Sequence, residues 1–285
     1  MSSESIKLPT HCAQWGWDDH QYFGHSVFGD LAGHESMIGM SALSVLGRRL
    51  SKECCDVLDD IVCTSTLADP RIWPLKISRL VAAYGSTMPA VAAGLLIQEG
   101  ARIGPWIAAG AAATLTELHN AINGQERNSI VVRNVVEGYL ARHRIIAGFG
   151  TPYRDYDERI IAFRKCMLNR RRNELPYWRT MEAVINAVRD LRQIAPNIGL
   201  GMASSMLDMG ITPAEVGPLA TVLVQHMFVA NAVESVKQSP ALLRELPESH
   251  VTYIGVPTRT SQRAIGSVSF LHTRQSRNGK MASGQ

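Results

Sequence analysis

Residues 196–213 read PNIGLGMASSMLDMGITP, and this stretch indicates the class of fold. A new segment starts at Pro196, and apolar residues then recur at three- and four-residue steps as far as Met209, which is the spacing of a helix. Thr212 follows as a cap and Pro213 takes the first position of the next helix. Two consecutive helices are therefore predicted, joined by a short turn.

The same spacing recurs along most of the chain, with Gly or Pro between the runs and little strict alternation. Ser51 is predicted to cap one further helix, whose inner face carries Val57, Leu58 and Ile61. An Ala-rich block over 89–118, broken at Gly104, predicts closely approaching helices. Together these patterns predict an all-α protein. The predicted helical runs cover residues 36–46, 75–80, 89–118, 130–146, 160–168, 177–194, 199–209 and 213–233.

The composition supports a globular protein. The chain has 285 residues, of which 46% are hydrophobic and 19% charged, so it can bury a large core and is neither disordered nor fibrous. The formal net charge of +4 is modest for this length, which disfavours nucleic acid as a partner. Residues 259–285 contain no acidic residue and many Ser, Gly and Gln, so a flexible basic tail is predicted there.

The cysteine pattern and the N-terminal sequence predict a cytoplasmic location. The five cysteines include no CxxC pair, and the first ten residues lack an apolar signal core. The most apolar stretch, 88–97, ends at Gln98 and Glu99, well before the roughly 20 apolar residues that a membrane span needs. We therefore expect no membrane partner.

Six segments in order resemble the citrate synthase superfamily, including its shorter citryl-CoA lyase-like branch. The resemblance covers roughly residues 20 to 258 and rests on the order and spacing of the segments together. The segments are YFGHSVFGDLAGHESMIGMSALSVLGRRLS at 22–51, LADP at 67–70, IGPWIAAGA at 103–111, GFGTPYRDYDER at 148–159, PNIGLGMASSMLDMGITP at 196–213 and TYIGVPTR at 252–259.

The resemblance implies an all-helical, two-domain homodimer. Residues 1–110 and 205–258 would form a large domain and residues 111–204 a small one, with the active site between them. The family chemistry uses a carboxylate to take a proton from the methyl group of an acyl-CoA, one His to stabilise the enol and another to polarise a 2-oxo acid. Small organic acids and a CoA thioester are then the implied substrates, and no permanently bound cofactor is implied.

Most of the implied catalytic groups are replaced in this sequence. Ile107, Thr151 and Pro70 stand where the resemblance implies a His, and Gly199 stands where it implies the base Asp. Arg159 retains the Arg of the Asp-Pro-Arg motif. The predicted site uses this Arg and the polar residues beside the vacant positions. The candidate catalytic residues are His226, Thr151 and Tyr153, and the candidate substrate-binding residues are Arg159, Gln225 and Arg154.

Each candidate also has a structural alternative. Arg159 could clamp a substrate carboxylate with its planar guanidinium or form an ion pair with Asp155 or Asp157. His226 could be catalytic or a buried, hydrogen-bonded histidine, and Thr151 could orient an oxyanion or only stabilise its turn. The basic residues of 164–172 could meet phosphates or form a solvated helix face.

No metal site is predicted, because the Gly33-His34-Glu35 segment lacks the second His that a zincin helix requires. The sequence instead predicts an enzyme that makes or breaks a carbon–carbon bond next to a carbonyl, in an organic acid or its CoA thioester, with a non-standard residue set. The alternative is a non-catalytic homologue that binds a small acid or serves in assembly.

Overall fold

The computed structural model describes residues 8–67, 69–98, 104–151, 155–238 and 247–256. The predicted site residues Tyr153 and Arg154, and the predicted tail 259–285, lie outside these ranges. The chain divides into two compact units, residues 1–242 and 243–285. In the second unit, the described residues form a single 3₁₀ turn at Glu248–His250, followed by irregular chain up to Val256.

The first unit is built from α-helices, which confirms the predicted all-α class. Most helices begin within two residues of a predicted run, because the periodic apolar faces that define the runs are buried. The described helices are α1 (Met37–Leu46), α2 (Lys52–Ser65), α3 (Trp73–Tyr84), α4 (Thr87–Gln98), α5 (Pro105–Ile122), α6 (Ser129–Arg142), α7 (Glu158–Asn169), α8 (Pro176–Arg192), α9 (Ile198–Asp208), α10 (Pro213–Leu223) and α11 (Gln225–Ser235).

A small antiparallel sheet precedes the helices. Its strands are β1 (Ala13–Gln14), β2 (Gln21–Tyr22) and β3 (His25–Ser26), paired in the order β1-β2-β3. A π-helical turn, Val27–Leu31, follows directly. Because each strand has only two residues, the helical class of the protein is unchanged.

Helix starts follow the predicted capping chemistry. The Ser51 side chain accepts a hydrogen bond from the Cys54 backbone N–H at the start of α2. At α10, the Thr212 backbone N–H donates to the Glu215 carboxylate at 2.8 Å and completes a capping box. The predicted caps at Ser51 and Thr212 are confirmed.

The predicted single helix over 213–233 is wrong, because the chain forms two helices, α10 and α11, with a turn at Val224. The Leu223 carbonyl is hydrogen-bonded by the His226 ring at 3.1 Å, which diverts it from helical pairing at the break. By length and composition alone, residues 213–235 would be apolar enough to cross a membrane, with a hydropathy of 1.4. Core helices of soluble proteins pass the same test, and 56% of the 18-residue window that passes it here is buried.

The largest core cluster surrounds α9, in which every residue from Ile198 to Leu207 is buried. Helices α5, α8 and α10 supply most of the side chains around it. A second cluster joins α3, α4 and α11, where a Cβ added at Gly94 would lie 2.4 Å from Phe228 Cδ1. The small residues of the Ala-rich block therefore permit the close helix contacts expected of them. This core fixes the position of α9, whose first turn belongs to the candidate site.

Candidate functional site

Three of the six segments that carry the resemblance meet at the N-terminal end of α9, namely 103–111, 148–159 and 196–213. Phe149 pairs with Pro196 in an isolated antiparallel bridge, and the Asn197 backbone N–H donates to the Gly148 carbonyl at 2.9 Å. The Asn197 side chain also donates to the Gly150 carbonyl at 3.0 Å. These contacts hold the turn 148–151 against the start of α9. None of them involves a residue that the resemblance implies to be catalytic.

Two of the replaced positions are neighbours in space. A Cβ built on Gly199 would lie 3.1 Å from Ile107 Cγ2, on α5, and 3.0 Å from Asn197 Oδ1. The positions for which the resemblance implies a His and a base Asp thus lie together, as an active site would need. Here they hold an apolar side chain against a glycine, and neither can accept or donate a proton through a side chain.

Arg159 is held by a buried carboxylate. Its Nε and Nη2 donate to Asp157 Oδ1 and Oδ2, each at 2.8 Å, and only 1% of the Asp157 side chain is exposed. Asp157 also accepts the backbone N–H of Ile198 at 2.9 Å. Of the two roles considered for Arg159, the ion pair with Asp157 is present. One edge of the guanidinium fork is therefore already engaged.

The charge state of Asp157 follows from these contacts. Burial alone would raise its pKa, but the Arg159 guanidinium, together with the N–H donors of Ile198 and Arg159, outweighs burial and holds the pKa below its usual value. The ionised form is thus strongly favoured. Sequence reasoning considered Asp157 only as a surface partner, and the signal it missed was the position directly before α7, where an Asp caps a helix.

The other candidates occupy different surroundings. Thr151 is half-buried at the end of the turn beside α9, whereas Gln225 is exposed at the first position of α11. His226 Nε2 lies 2.7 Å from Thr66 Oγ1, and its Nδ1 lies 3.1 Å from the Leu223 carbonyl oxygen. Since a carbonyl only accepts, Nδ1 carries a proton in this arrangement.

His226 therefore connects the end of α2 to the start of α11. The Leu67 backbone N–H strengthens this connection by donating to Met227 Sδ at 3.0 Å. Among the described residues, no hydrogen bond or ion pair joins His226 to the group around Gly199 and Arg159. The candidates on α11, Gln225 and His226, are thus held by contacts separate from those that hold Arg159 near the start of α9.

Two carboxylates that could substitute for the missing base, those of Glu215 and Asp208, are engaged by other groups. Glu215 pairs with Arg48 at 2.6 Å, and this hydrogen bond lowers the Glu215 pKa to about 2. Asp208 ends α9 and accepts the backbone N–H groups of Tyr177 and Trp178 at 2.8 and 2.9 Å. Burial raises the Asp208 pKa to about 6. As expected from its helical position, Asp208 lies at the opposite end of α9 from Gly199.

The basic residues of 164–172 are partly neutralised by neighbours. Arg164 donates to both Glu182 oxygens at 2.8 and 2.9 Å, and Arg170 pairs with Asp60. These pairs favour the interpretation of a solvated, ion-paired helix face over that of a phosphate site.

Two open pockets lie elsewhere on the surface. One, of about 400 Å³, lies beside β1 and β2 and is lined by Trp15, His20 and Tyr22 among others. The other, of about 490 Å³, lies beside α8. Neither is lined by a predicted site residue. Within the described ranges, no group of three or more His, Cys, Asp or Glu side chains could hold a metal ion.

Comparison with solved structures identifies several with the same fold. Citryl-CoA lyase from Hydrogenobacter thermophilus matches with a TM-score of 0.75 and 18% identity, over 91% of this chain and 99% of the other. A Methanosaeta concilii ATP citrate lyase in complex with (3S)-citryl-CoA matches with a TM-score of 0.65 and 14% identity, over 93% of this chain and 44% of the other. Citrate synthase from Thermoplasma acidophilum matches with a TM-score of 0.57 and 16% identity, over 80% of this chain and 59% of the other.

No protein-family model matches the sequence, and no curated protein matches it by sequence. The structural likeness spans nearly the whole citryl-CoA lyase chain. The chain has the all-helical fold shared by citryl-CoA lyase and citrate synthase.

Proposed function

We propose that the protein is a citryl-CoA lyase-like enzyme that makes or breaks a carbon–carbon bond next to a carbonyl group, in an organic acid or its CoA thioester. The observation that carries this proposal is the likeness to citryl-CoA lyase over 99% of that chain. Two ATP citrate lyase structures with the same fold contain (3S)-citryl-CoA, or citrate with coenzyme A. Their ligands support a small acid and a CoA thioester as the substrates.

In this proposal, the turn 148–151 and the start of α9 form the reacting end of the site. Arg159 binds a substrate carboxylate through the guanidinium edge that Asp157 does not occupy. Thr151 and Tyr153 contact the oxyanion side, and Arg154 adds positive charge. His226 and Gln225 orient the acid from the side of α11, and closure of the small domain, 111–204, brings the two groups together. The domain division remains a prediction.

Asp157 is an unsuitable general base in this scheme. Its pKa is held low by Arg159, and both of its oxygens already accept hydrogen bonds. Its role is to position Arg159 and the start of α9. Gly199 replaces the base Asp that the resemblance implies, and Asp157 is not suited to take its place. The proposed enzyme therefore depends on a base from another residue.

A non-catalytic homologue is the second candidate, and one specific observation favours it. Ile107 is packed against Gly199, so two positions that would move protons carry no acidic or basic group. Losing a positioned acid or base typically costs about 10²–10⁴ in rate, and losing an oxyanion donor about 10²–10³ more. We expect the protein to be very poor or inactive at forming citrate from oxaloacetate and acetyl-CoA.

We also propose a cytoplasmic homodimer. Large apolar side chains on α3 and α4 are exposed, including Tyr84 at 69%, Met88 at 75% and Leu96 at 75%. Exposed apolar side chains of this size are typical of a surface that a second subunit covers. Sedimentation at micromolar concentration should give a dimer. A stable monomer would contradict this proposal.

A ligand panel separates the two functions. The full chain is heated with acyl-CoAs, 2-oxo acids and di- and tricarboxylates, and any compound that raises the melting temperature is tested for turnover. A ligand at a hundredfold excess over its Kd should stabilise the fold by about 2.7 kcal/mol. Stabilisation with turnover supports the enzyme, whereas stabilisation without turnover supports the second candidate. No stabilisation by any compound would contradict the enzyme and also the acid-binding form of the second candidate.

Matched arginine variants make the panel specific to the site. Arg159→Lys should weaken acid binding, because an ammonium lacks the planar fork of the guanidinium. Arg133→Lys is the matched control, since Arg133 is exposed and pairs with Glu137 within α6. Equal loss of the ligand effect in both variants would argue against a carboxylate site at Arg159.

A further inference from the structure

Two free cysteines lie on helices that pack against each other. Cys63 is exposed on α2, and Cys166 is half-buried on α7. The two helices are in contact, and Val62 and Cys166 pack against the same core cluster. Because the two sulfur atoms belong to different helices, the register of α2 against α7 decides whether the sulfur atoms can meet.

The ion pairs at one end of this contact define the register. Arg170, at the C-cap of α7, pairs with Asp60 and lies 3.6 Å from Asp56, both on α2. Cys166 lies four residues before Arg170 and therefore on the same side of α7, while Cys63 lies three residues after Asp60 on the same side of α2. Each step is close to one helical turn.

The charged groups around Cys166 are those of the α2–α7 contact. Burial raises the pKa of Cys166, and the negative charges of Asp60 and Cys63 raise it further, although Arg170 opposes them. Helix axes packed at about 8–10 Å, with Cα atoms about 2.3 Å from each axis, bring directly facing Cα atoms to about 3.4–5.4 Å. A disulfide spans Cα atoms about 4.4–6.8 Å apart.

We propose that Cys63 and Cys166 are a modification site, at which a reversible intramolecular disulfide cross-links α2 to α7. The oxidant is hydrogen peroxide. The exposed Cys63 thiolate attacks a peroxide oxygen, which gives a sulfenic acid and releases hydroxide that takes up a proton to become water. The Cys166 thiolate then attacks the Cys63 sulfur and forms the S–S bond, while the sulfenic hydroxyl leaves as hydroxide and takes up a proton to become a second water. A dithiol reductant restores both thiols.

The cross-link would restrict the movement that closes the proposed active site. This consequence rests on the proposed function. Helix α2 lies in the segment predicted to be the large domain, and α7 lies in the segment predicted to be the small one. A covalent bond between them restricts the closure that the proposed enzyme requires. The bond itself can form whether or not the protein is catalytic, so its detection is independent of activity.

The test is mass spectrometry on the full chain treated with a small excess of hydrogen peroxide. We expect a loss of about 2 Da, disappearance of two of the five free thiols, and a peptide that joins Cys63 to Cys166. Dithiothreitol should reverse all three changes. The oxidised protein should also melt several degrees higher than the reduced one, because the bond closes a long loop.

Single variants identify the pair. Cys63→Ser should abolish the mass loss, and its exposed position makes misfolding an unsuitable explanation. Cys166→Ser should do the same, whereas Cys12→Ser and Cys54→Ser should retain the disulfide. A disulfide between other cysteines would overturn the proposal. So would overoxidation of Cys63 to the sulfinic acid, with a gain of about 32 Da, while Cys166 stays a free thiol.

Discussion

The two ends of α9 resemble each other in their hydrogen bonds and differ in their electrostatics. At the N-terminal end, Asp157 accepts the first backbone N–H of α9, from Ile198. At the C-terminal end, Asp208 accepts the backbone N–H groups of Tyr177 and Trp178, at the start of α8. Both carboxylates are mostly shielded from solvent. Nevertheless, the Asp157 pKa is lowered and the Asp208 pKa is raised to about 6.

The difference comes from the cation beside each carboxylate. Burial would raise both pKa values, but Asp157 receives a two-point contact from Arg159 that reverses the effect. Arg172 lowers the Asp208 pKa only slightly, and its buried Nε has no hydrogen-bond partner among the described residues. Backbone N–H groups alone therefore do not hold the pKa of a buried carboxylate below its usual value in this fold. A bidentate guanidinium does.

Gly199→Asp should have the largest effect on stability. It adds a second carboxylate at the N-terminal end of α9 without adding a cation to pair with it. Its Cβ would crowd Ile107 Cγ2 at 3.1 Å, and its charge would be buried. We expect a loss of about 4–6 kcal/mol in the free energy of unfolding, from overpacking and buried charge together. Urea unfolding measures it. Gly199→Ala is the control, with a loss of about 1–3 kcal/mol. An Asp variant as stable as the Ala variant would contradict the close packing.

Asp157→Ala tests the ion pair between Asp157 and Arg159 at the N-terminal end of α9. Removing one partner of a buried ion pair leaves the Arg159 charge and the Ile198 N–H without an acceptor, so we expect a loss of about 3–5 kcal/mol. Asp157→Asn keeps an acceptor oxygen and should lose less. Chemical denaturation of both variants gives the two values. If Ala and Asn lost equally little, Arg159 would not depend on this carboxylate.

Asp208→Asn tests the raised pKa at the C-terminal end of α9 through the pH dependence of stability. A carboxyl group whose folded-state pKa is raised stabilises the fold below its unfolded value, near 3.8, and this contribution is lost as pH rises through about 6. The full shift corresponds to about 3 kcal/mol. Between pH 4 and 7 the wild type should therefore lose more unfolding free energy than Asp208→Asn does. Parallel curves for the two proteins would contradict the raised pKa.

Asp157 should behave in the opposite sense. Because its folded-state pKa is lowered, its contribution is present above pH 3.8 and is lost as the pH falls through the folded value. The pH curves of Asp157→Asn and Asp208→Asn should thus diverge from the wild type in different windows.

The smallest effect is expected for a neutral hydrogen bond outside α9. Thr66→Val removes the hydroxyl that meets His226 Nε2, and a loss of about 1 kcal/mol is expected. A double-mutant cycle with His226→Ala isolates the pair and sets the baseline for an uncharged contact. If Thr66→Val left stability unchanged, the His226 contact would have no structural role.

The sequence predicted the helical class, most helix positions and the caps at Ser51 and Thr212, because these depend on local periodicity and short-range hydrogen bonds. It also predicted that positions 107 and 199 belong to one site, since the order of the segments preserves that relation. The contact of Thr66 with His226 was not predictable, because 160 residues separate the pair. Neither was the burial of Asp157, which depends on where α9 begins in space.

The break at Val224 has a consequence for synthesis of the chain. As one helix, residues 213–235 would span about 34 Å, more than the roughly 30 Å of a membrane's hydrocarbon layer, whereas α10 and α11, at 11 residues each, reach only about 16 Å. Besides each other, α10 packs mainly against α1, α5 and α9, and α11 packs against α3 and α4, all of which precede them in sequence. The most insertion-prone segment therefore leaves the ribosome after the surfaces that cover it, which shortens the time during which a membrane or another nascent chain can compete for it.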